Sequence, residues 1–102
     1  MTGTPIVERI DPELEELMER FFINSRADLA EMESSLESGD FETLSRLGHT
    51  AKGTGYGYGL LGMGEIGKEL EQTAKSGDIA ASRILVERMS HYLDNVRVEY
   101  GE

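Results

Sequence analysis

A histidine, a lysine and a glycine stand at His49, Lys52 and Gly53, and one turn before them lie Ser45 and Arg46. On a helix of about 100° per residue that begins at Asp40, the residues Phe41, Leu44, Leu47, Gly48 and Ala51 share an arc of roughly 120°. That arc faces a core. His49 falls roughly 160° from its centre, which places the imidazole in solvent near the middle of the helix. Its neighbours at three- and four-residue spacing are Ser45, Arg46, Lys52 and Gly53. An exposed neutral imidazole is a competent nucleophile that can hold a group covalently between two transfers. Two nearby cations oppose its protonation but favour an anion attached to it, and a phosphoryl group on a ring nitrogen is such an anion. A mid-helix glycine on an exposed face costs about 1 kcal/mol relative to alanine, so Gly53 asks for a compensating reason. Room beside the imidazole supplies one. An exposed histidine alone is an ordinary occupant of a helix surface. His91 illustrates this: it lies off its apolar stripe, is flanked by Glu87 and Asp94, and has no exposed glycine beside it. His91 therefore reads as solvated surface.

The elements that must position His49 are punctuated clearly. Asp11-Pro12 supplies an N-cap carboxylate and a proline at the first helical position. Leu14, Leu17, Met18, Phe21, Phe22, Ser25, Leu29, Met32 and Leu36 then draw one helical stripe. Gly39 stops it and Asp40 caps the next helix. Met63, Ile66, Leu70 and Ala74 draw a further stripe, and Gly77-Asp78 repeats the stop-and-cap device. Leu85, Met89, Tyr92, Leu93 and Val96 draw the last. Gly55, Gly57 and Gly59 are expected to end the second helix, with Tyr56 and Tyr58 anchoring the turn by packing. No segment alternates long enough to be read as a strand. The expectation is an all-α fold, an antiparallel up-down-up-down four-helix bundle over residues 11–102. Residues 1–10 form a short N-terminal arm, with Ile6, Val7 and Ile10 packing on one end.

Composition limits the partners. The chain has 102 residues, a formal net charge of −10 and no cysteine, which is one small domain without a disulfide framework or thiolate metal site. A strongly acidic chain is a poor ligand for polyanions, whose binding depends on counterion release by Lys and Arg, so neither nucleic acid nor an anionic membrane is an expected partner. No window approaches the roughly 20 apolar residues of a spanning helix. The reading is a soluble, cytoplasmic monomer, since a four-helix bundle closes its own core.

At this point the sequence resembles the histidine-containing phosphotransfer (HPt) domain family, on His49-Thr50-Ala51-Lys52-Gly53, Gly59, Met63, Ile66, the pair Leu70-Glu71 and the turn Gly77-Asp78. By motif the match covers roughly residues 40–78. The resemblance implies a four-helix bundle that relays phosphoryl groups in two-component signalling. His49 would be the acceptor, Lys52 would steady the phosphoryl oxygens, and Gly53 would let the partner approach, with Ser45 and Thr50 on the docking face. Arg46 joins the phosphoryl-stabilising set from helix geometry alone. Expected partners are response-regulator receiver domains, with a hybrid sensor kinase as a further candidate. No cofactor of the chain's own is implied, since magnesium is expected on the receiver domain, and neither is an ATP site. The sequence departs from the family at Gly48 and Ala51, both smaller than usual, which implies a thinner core beneath the site. The third helix also carries more glycine than the family usually has, at Gly62, Gly64 and Gly67.

The glycine run matches other phosphate-binding patterns without their context. Residues 57–62 and 62–67 both fit G-x-G-x-x-G, yet an amphipathic helix precedes them where a dinucleotide site needs a strand. Residues 62–69 approach a P-loop but end on Glu69, where magnesium binding needs Ser or Thr. A bundle di-iron site needs Glu three residues before His, and those positions hold Arg46 and Arg88. Two readings remain from different classes. One is a phosphotransfer carrier acting at His49, and the other is a non-phosphorylated helical adaptor binding partners through the same face.

Overall fold

The computed structural model describes residues 5–101, and residues 1–4 of the expected arm lie outside them. In chain order the elements are β1 (Ile6–Ile10), a 3-10 turn (Pro12–Leu14), α1 (Glu15–Ser38), α2 (Phe41–Tyr58), α3 (Leu61–Lys75), α4 (Ile79–Asn95) and β2 (Val96–Tyr100). The four helices form a four-helix bundle in which α1 packs on α2 and α4, and α3 on α2 and α4. Connections of two or three residues turn each helix back against the one before it.

Local chemistry accounts for these boundaries. Gly39, Gly59 and Gly77 have positive φ of 75°, 87° and 71°, the left-handed conformation that only glycine adopts without strain. Asp40 Oδ1 accepts from Thr43 N at 3.1 Å and Asp78 Oδ1 from Ala81 N at 3.0 Å, satisfying helix-start donors that have no partner within the helix. Of the three glycines expected to end the second helix, only Gly59 does so. Gly55 and Gly57 lie inside α2, because α3 packs along that last turn and holds it helical. The tyrosines do anchor the region: Tyr58 stacks on Phe21 with ring centroids 4.6 Å apart. Tyr56 donates its hydroxyl to Glu65 Oε2 at 2.6 Å, and that contact pushes its ionisation up.

The expected helical core holds except at Leu17. Leu44, Leu47, Gly48 and Ala51 are buried on α2, and Met63, Ile66, Leu70 and Ala74 on α3. Leu17 is 49% exposed, since it borders the groove between α1 and α2 instead of the interior.

The core beneath the site is not thinned by small residues, because helix backbones fill the space. A methyl carbon placed on Gly55 would lie 2.5 Å from Gly64 N, and one on Gly67 would lie 2.5 Å from Lys52 N. Gly48 meets α3 at Gly67 and Glu71 while Gly55 meets it at Gly64, so α2 and α3 run antiparallel at unusually short separation. Gly64 lies under the Tyr56 ring and Gly62 against the Tyr92 ring. The glycines of α3 are contact surfaces.

The strands correct the sequence reading, which recognised none. β1 and β2 pair in parallel, Ile6 opposite Val96 through Ile10 opposite Tyr100. In β1 the inward set is Ile6, Glu8 and Ile10, so a carboxylate occupies the position where alternation demands an apolar residue. Val7, expected to pack, is 54% exposed. Glu8 Oε2 accepts from Tyr92 Oη at 2.7 Å and from Gly62 N at 2.8 Å. Burial, reinforced by this contact, pushes the Tyr92 hydroxyl far above its ordinary range. Glu8 thereby supplies a start-of-helix acceptor that Leu60, at the cap position of α3, lacks.

Candidate functional site

His49 stands on the solvent face of α2 with 66% of its side chain exposed, as the helical arc requires. Across the narrow seam, Glu71 of α3 reaches it: His49 Nδ1 lies 3.1 Å from Glu71 Oε2. Lys52 Nζ lies 3.1 Å from Glu71 Oε1, and Lys75 Nζ, one turn along α3, lies 3.3 Å from Oε2. The Glu71 side chain is 13% exposed, so this carboxylate forms the floor of a cluster whose three partners reach water.

The electrostatics set the state of the ring. Hydrogen bonding from Lys52 above all, then from Lys75, outweighs burial and lowers Glu71 from its ordinary 4.5 to about 2. An ionised carboxylate only accepts, so the proton between the two groups sits on Nδ1 of His49. In the neutral imidazole the other nitrogen, Nε2, then carries the free lone pair. The side chain is therefore oriented with its nucleophilic nitrogen outward.

The other expected site residues divide. Lys52 belongs to the cluster, half-buried with 34% of its side chain exposed. Gly53 opens onto empty space, since a methyl carbon there would meet nothing within 4 Å. Ser45 and Thr50 are half-buried on either side of the histidine turn. Thr50 O accepts from Thr54 Oγ1 at 2.9 Å, and both threonines line a groove of about 340 Å³ against α1. Arg46 is not brought into the cluster: its guanidinium lies 3.4 Å from Glu31 of α1, drawn to that acidic helix instead of toward α3. His91 is exposed, and among the described residues its only side-chain hydrogen-bond partner is Asn95, with Nδ1 3.3 Å from Asn95 Nδ2.

Glu71 is the residue that sequence reasoning did not place at the site. It was visible only as half of the Leu70-Glu71 motif pair, and 22 residues separate it from His49. Among the described residues no group of three or more His, Cys, Asp or Glu could hold a metal ion. No described helix is long and apolar enough to cross a membrane.

The fold and the site together define a helical bundle that presents an oriented, solvent-facing histidine beside a lysine. The family model of the Hpt domain matches residues 16–99, most of the chain, and the chain belongs to the Hpt domain family. Members of this family are histidine phosphotransfer carriers of two-component phosphorelays and not enzymes in the ordinary sense. Comparison with curated proteins and with solved structures finds no significant match.

Proposed function

We propose that this domain takes a phosphoryl group from the aspartyl-phosphate of one receiver domain onto His49 Nε2 and passes it to an aspartate of another. The observation that carries the reading is the contact between His49 Nδ1 and Glu71, which leaves Nε2 as the free nitrogen. In the forward step the Nε2 lone pair forms the N–P bond while the P–O bond to the receiver aspartate breaks. The bonding pair leaves on the aspartate oxygen as a carboxylate. Nδ1 keeps its proton throughout, so the ring becomes cationic as the phosphoryl group arrives, and Glu71 stabilises that charge.

Lys52 has a second task in this scheme. It lies within one helical turn of His49 and rotates from Glu71 to the incoming phosphoryl oxygens. Arg46 reaches the same oxygens by leaving Glu31. Gly53, Ser45 and Thr50 form the near docking surface. The receiver domains supply magnesium and its acidic ligands; this chain supplies nucleophile, orientation and charge, and it neither binds nor hydrolyses ATP. A hybrid sensor kinase is a further candidate donor. The domain acts as a cytoplasmic monomer in this scheme, where receiver domains can exchange on one face.

The test is transfer from a panel of phosphorylated receiver domains to the wild-type chain and to His49→Gln, read by intact mass and acid lability. Acid-labile label on the wild type alone is the expected result. Label that persists in His49→Gln moves the acceptor, with His91 the next histidine to replace. Receivers that bind without transferring label favour the non-phosphorylated adaptor.

A further inference from the structure

Two backbone contacts join the residues that serve His49. A methyl carbon on Gly48 would lie 2.7 Å from Glu71 N and 3.1 Å from Glu71 Cα, and one on Gly67 would lie 2.5 Å from Lys52 N and 2.8 Å from Gly48 O. Gly48 thus abuts the backbone of the residue that holds the imidazole, and Gly67 abuts the backbone of the lysine that shares that carboxylate. Both glycines are buried inside helices, and no side-chain rotation can relieve a clash with backbone atoms. Alanine has the higher helix propensity at both positions, so any damage it does must come from the contact.

We propose that Gly48 and Gly67 are positioning residues for phosphoryl acceptance, setting by direct helix–helix contact the distance between His49 and Glu71. The inference rests on the carrier reading of His49. Relieving the Gly48 contact from 2.7 Å to an ordinary 3.4 Å needs 0.7 Å of separation between the helices. Displacement of that size along the line between His49 and Glu71 carries the 3.1 Å contact to 3.8 Å, beyond hydrogen-bonding range. The ring then loses the acceptor that keeps its proton on Nδ1.

The same seam provides its own control. Gly55 meets Gly64 N at 2.5 Å and Gly64 Cα at 2.9 Å, an equally tight backbone contact two turns further along α2 from Gly48 and away from the histidine. If tight packing served stability alone, both ends of the seam would behave alike.

The experiment compares wild type, Gly48→Ala, Gly67→Ala and Gly55→Ala, each labelled with ¹⁵N-histidine. It reads the His49 ring-nitrogen shifts at alkaline pH, the rate of label uptake from a phosphorylated receiver, and stability. Expected is an Nδ1–H ring in wild type and in Gly55→Ala, lost in Gly48→Ala and Gly67→Ala. Uptake in those two falls about tenfold at most, the low end of what a carboxylate orienting a metal-bound histidine is worth. Wild-type shifts and rate in folded Gly48→Ala and Gly67→Ala overturn the proposal, as does a tautomer change in Gly55→Ala equal to theirs. A wild-type ring without Nδ1–H preference overturns it even where the variants do not fold. A wild type that takes no label from any receiver sinks the carrier reading instead, and the nitrogen shifts then decide the positioning claim alone.

Discussion

Replacing Glu71 with alanine removes what is, among the described residues, the only side-chain hydrogen-bond partner of the His49 ring; it also frees Lys52 and Lys75 from their ion pairs, and it leaves the glycine seam between the helices unchanged. Two effects on uptake add. The ring loses its preference for a proton on Nδ1, so a share of the population presents a protonated Nε2 that cannot attack phosphorus. The cationic ring that forms during transfer also loses its nearby anion. A carboxylate that orients a metal-bound histidine is worth about 10- to 100-fold, and the same orienting role sets the scale for Glu71. The imidazole here is 66% exposed, so water can replace part of the lost contact. The expected loss sits at the lower end, about tenfold. Glu71→Gln keeps an oxygen acceptor without the charge and should lose only about threefold, since a neutral hydrogen bond is roughly half as strong as a charge-assisted one. The assay is a quenched time course of label uptake from a phosphorylated receiver at saturating concentration, so that docking does not limit the rate. Glu71→Ala uptake within twofold of wild type would refute the assignment of Glu71 as the orienting group.

Three further outcomes are expected from the same structure. Glu71 should titrate near 2 instead of 4.5 in a carboxyl ¹³C NMR titration; because its folded value is the lower one, its contribution to stability is complete above about pH 4.5 and is lost as pH falls toward 2. Tyr92→Phe leaves Glu8 short of one donor in the interior and should destabilise by about 1–3 kcal/mol in urea unfolding, and a loss under about 0.5 kcal/mol would deny the buried contact. Leu70→Ala, at a fully buried position, should lose about 2–5 kcal/mol, whereas Leu17→Ala at the exposed rim should stay within about 0.5 kcal/mol of wild type in the same assay.

The correction at the chain ends has a physical origin. Val96–Tyr100 does alternate, but five residues directly after a helix carry too few periods to distinguish a strand from a frayed last turn. In Ile6–Ile10 the pattern is inverted by Glu8, whose burial is tolerable only because Tyr92 and Gly62 donate to it from 84 and 54 residues away. Patterning rules read local periodicity, and a buried carboxylate satisfied from distant elements gives no local signal.

Local rules did suffice for much of this protein. The spacing of Leu44, Leu47 and Ala51 put His49 in solvent, and the Gly-Asp pairs at 39–40 and 77–78 set two helix junctions, because periodicity and capping depend on residues a few positions apart. The tertiary structure alone decided which side chains His49 and Arg46 face, Glu71 for one and Glu31 for the other. It also turned the glycines of α3 from weak helix formers into the surface that brings α3 against α2. Those outcomes depend on how two helices approach, a distance set by the absence of side chains on both at once, and no single stretch of sequence contains it.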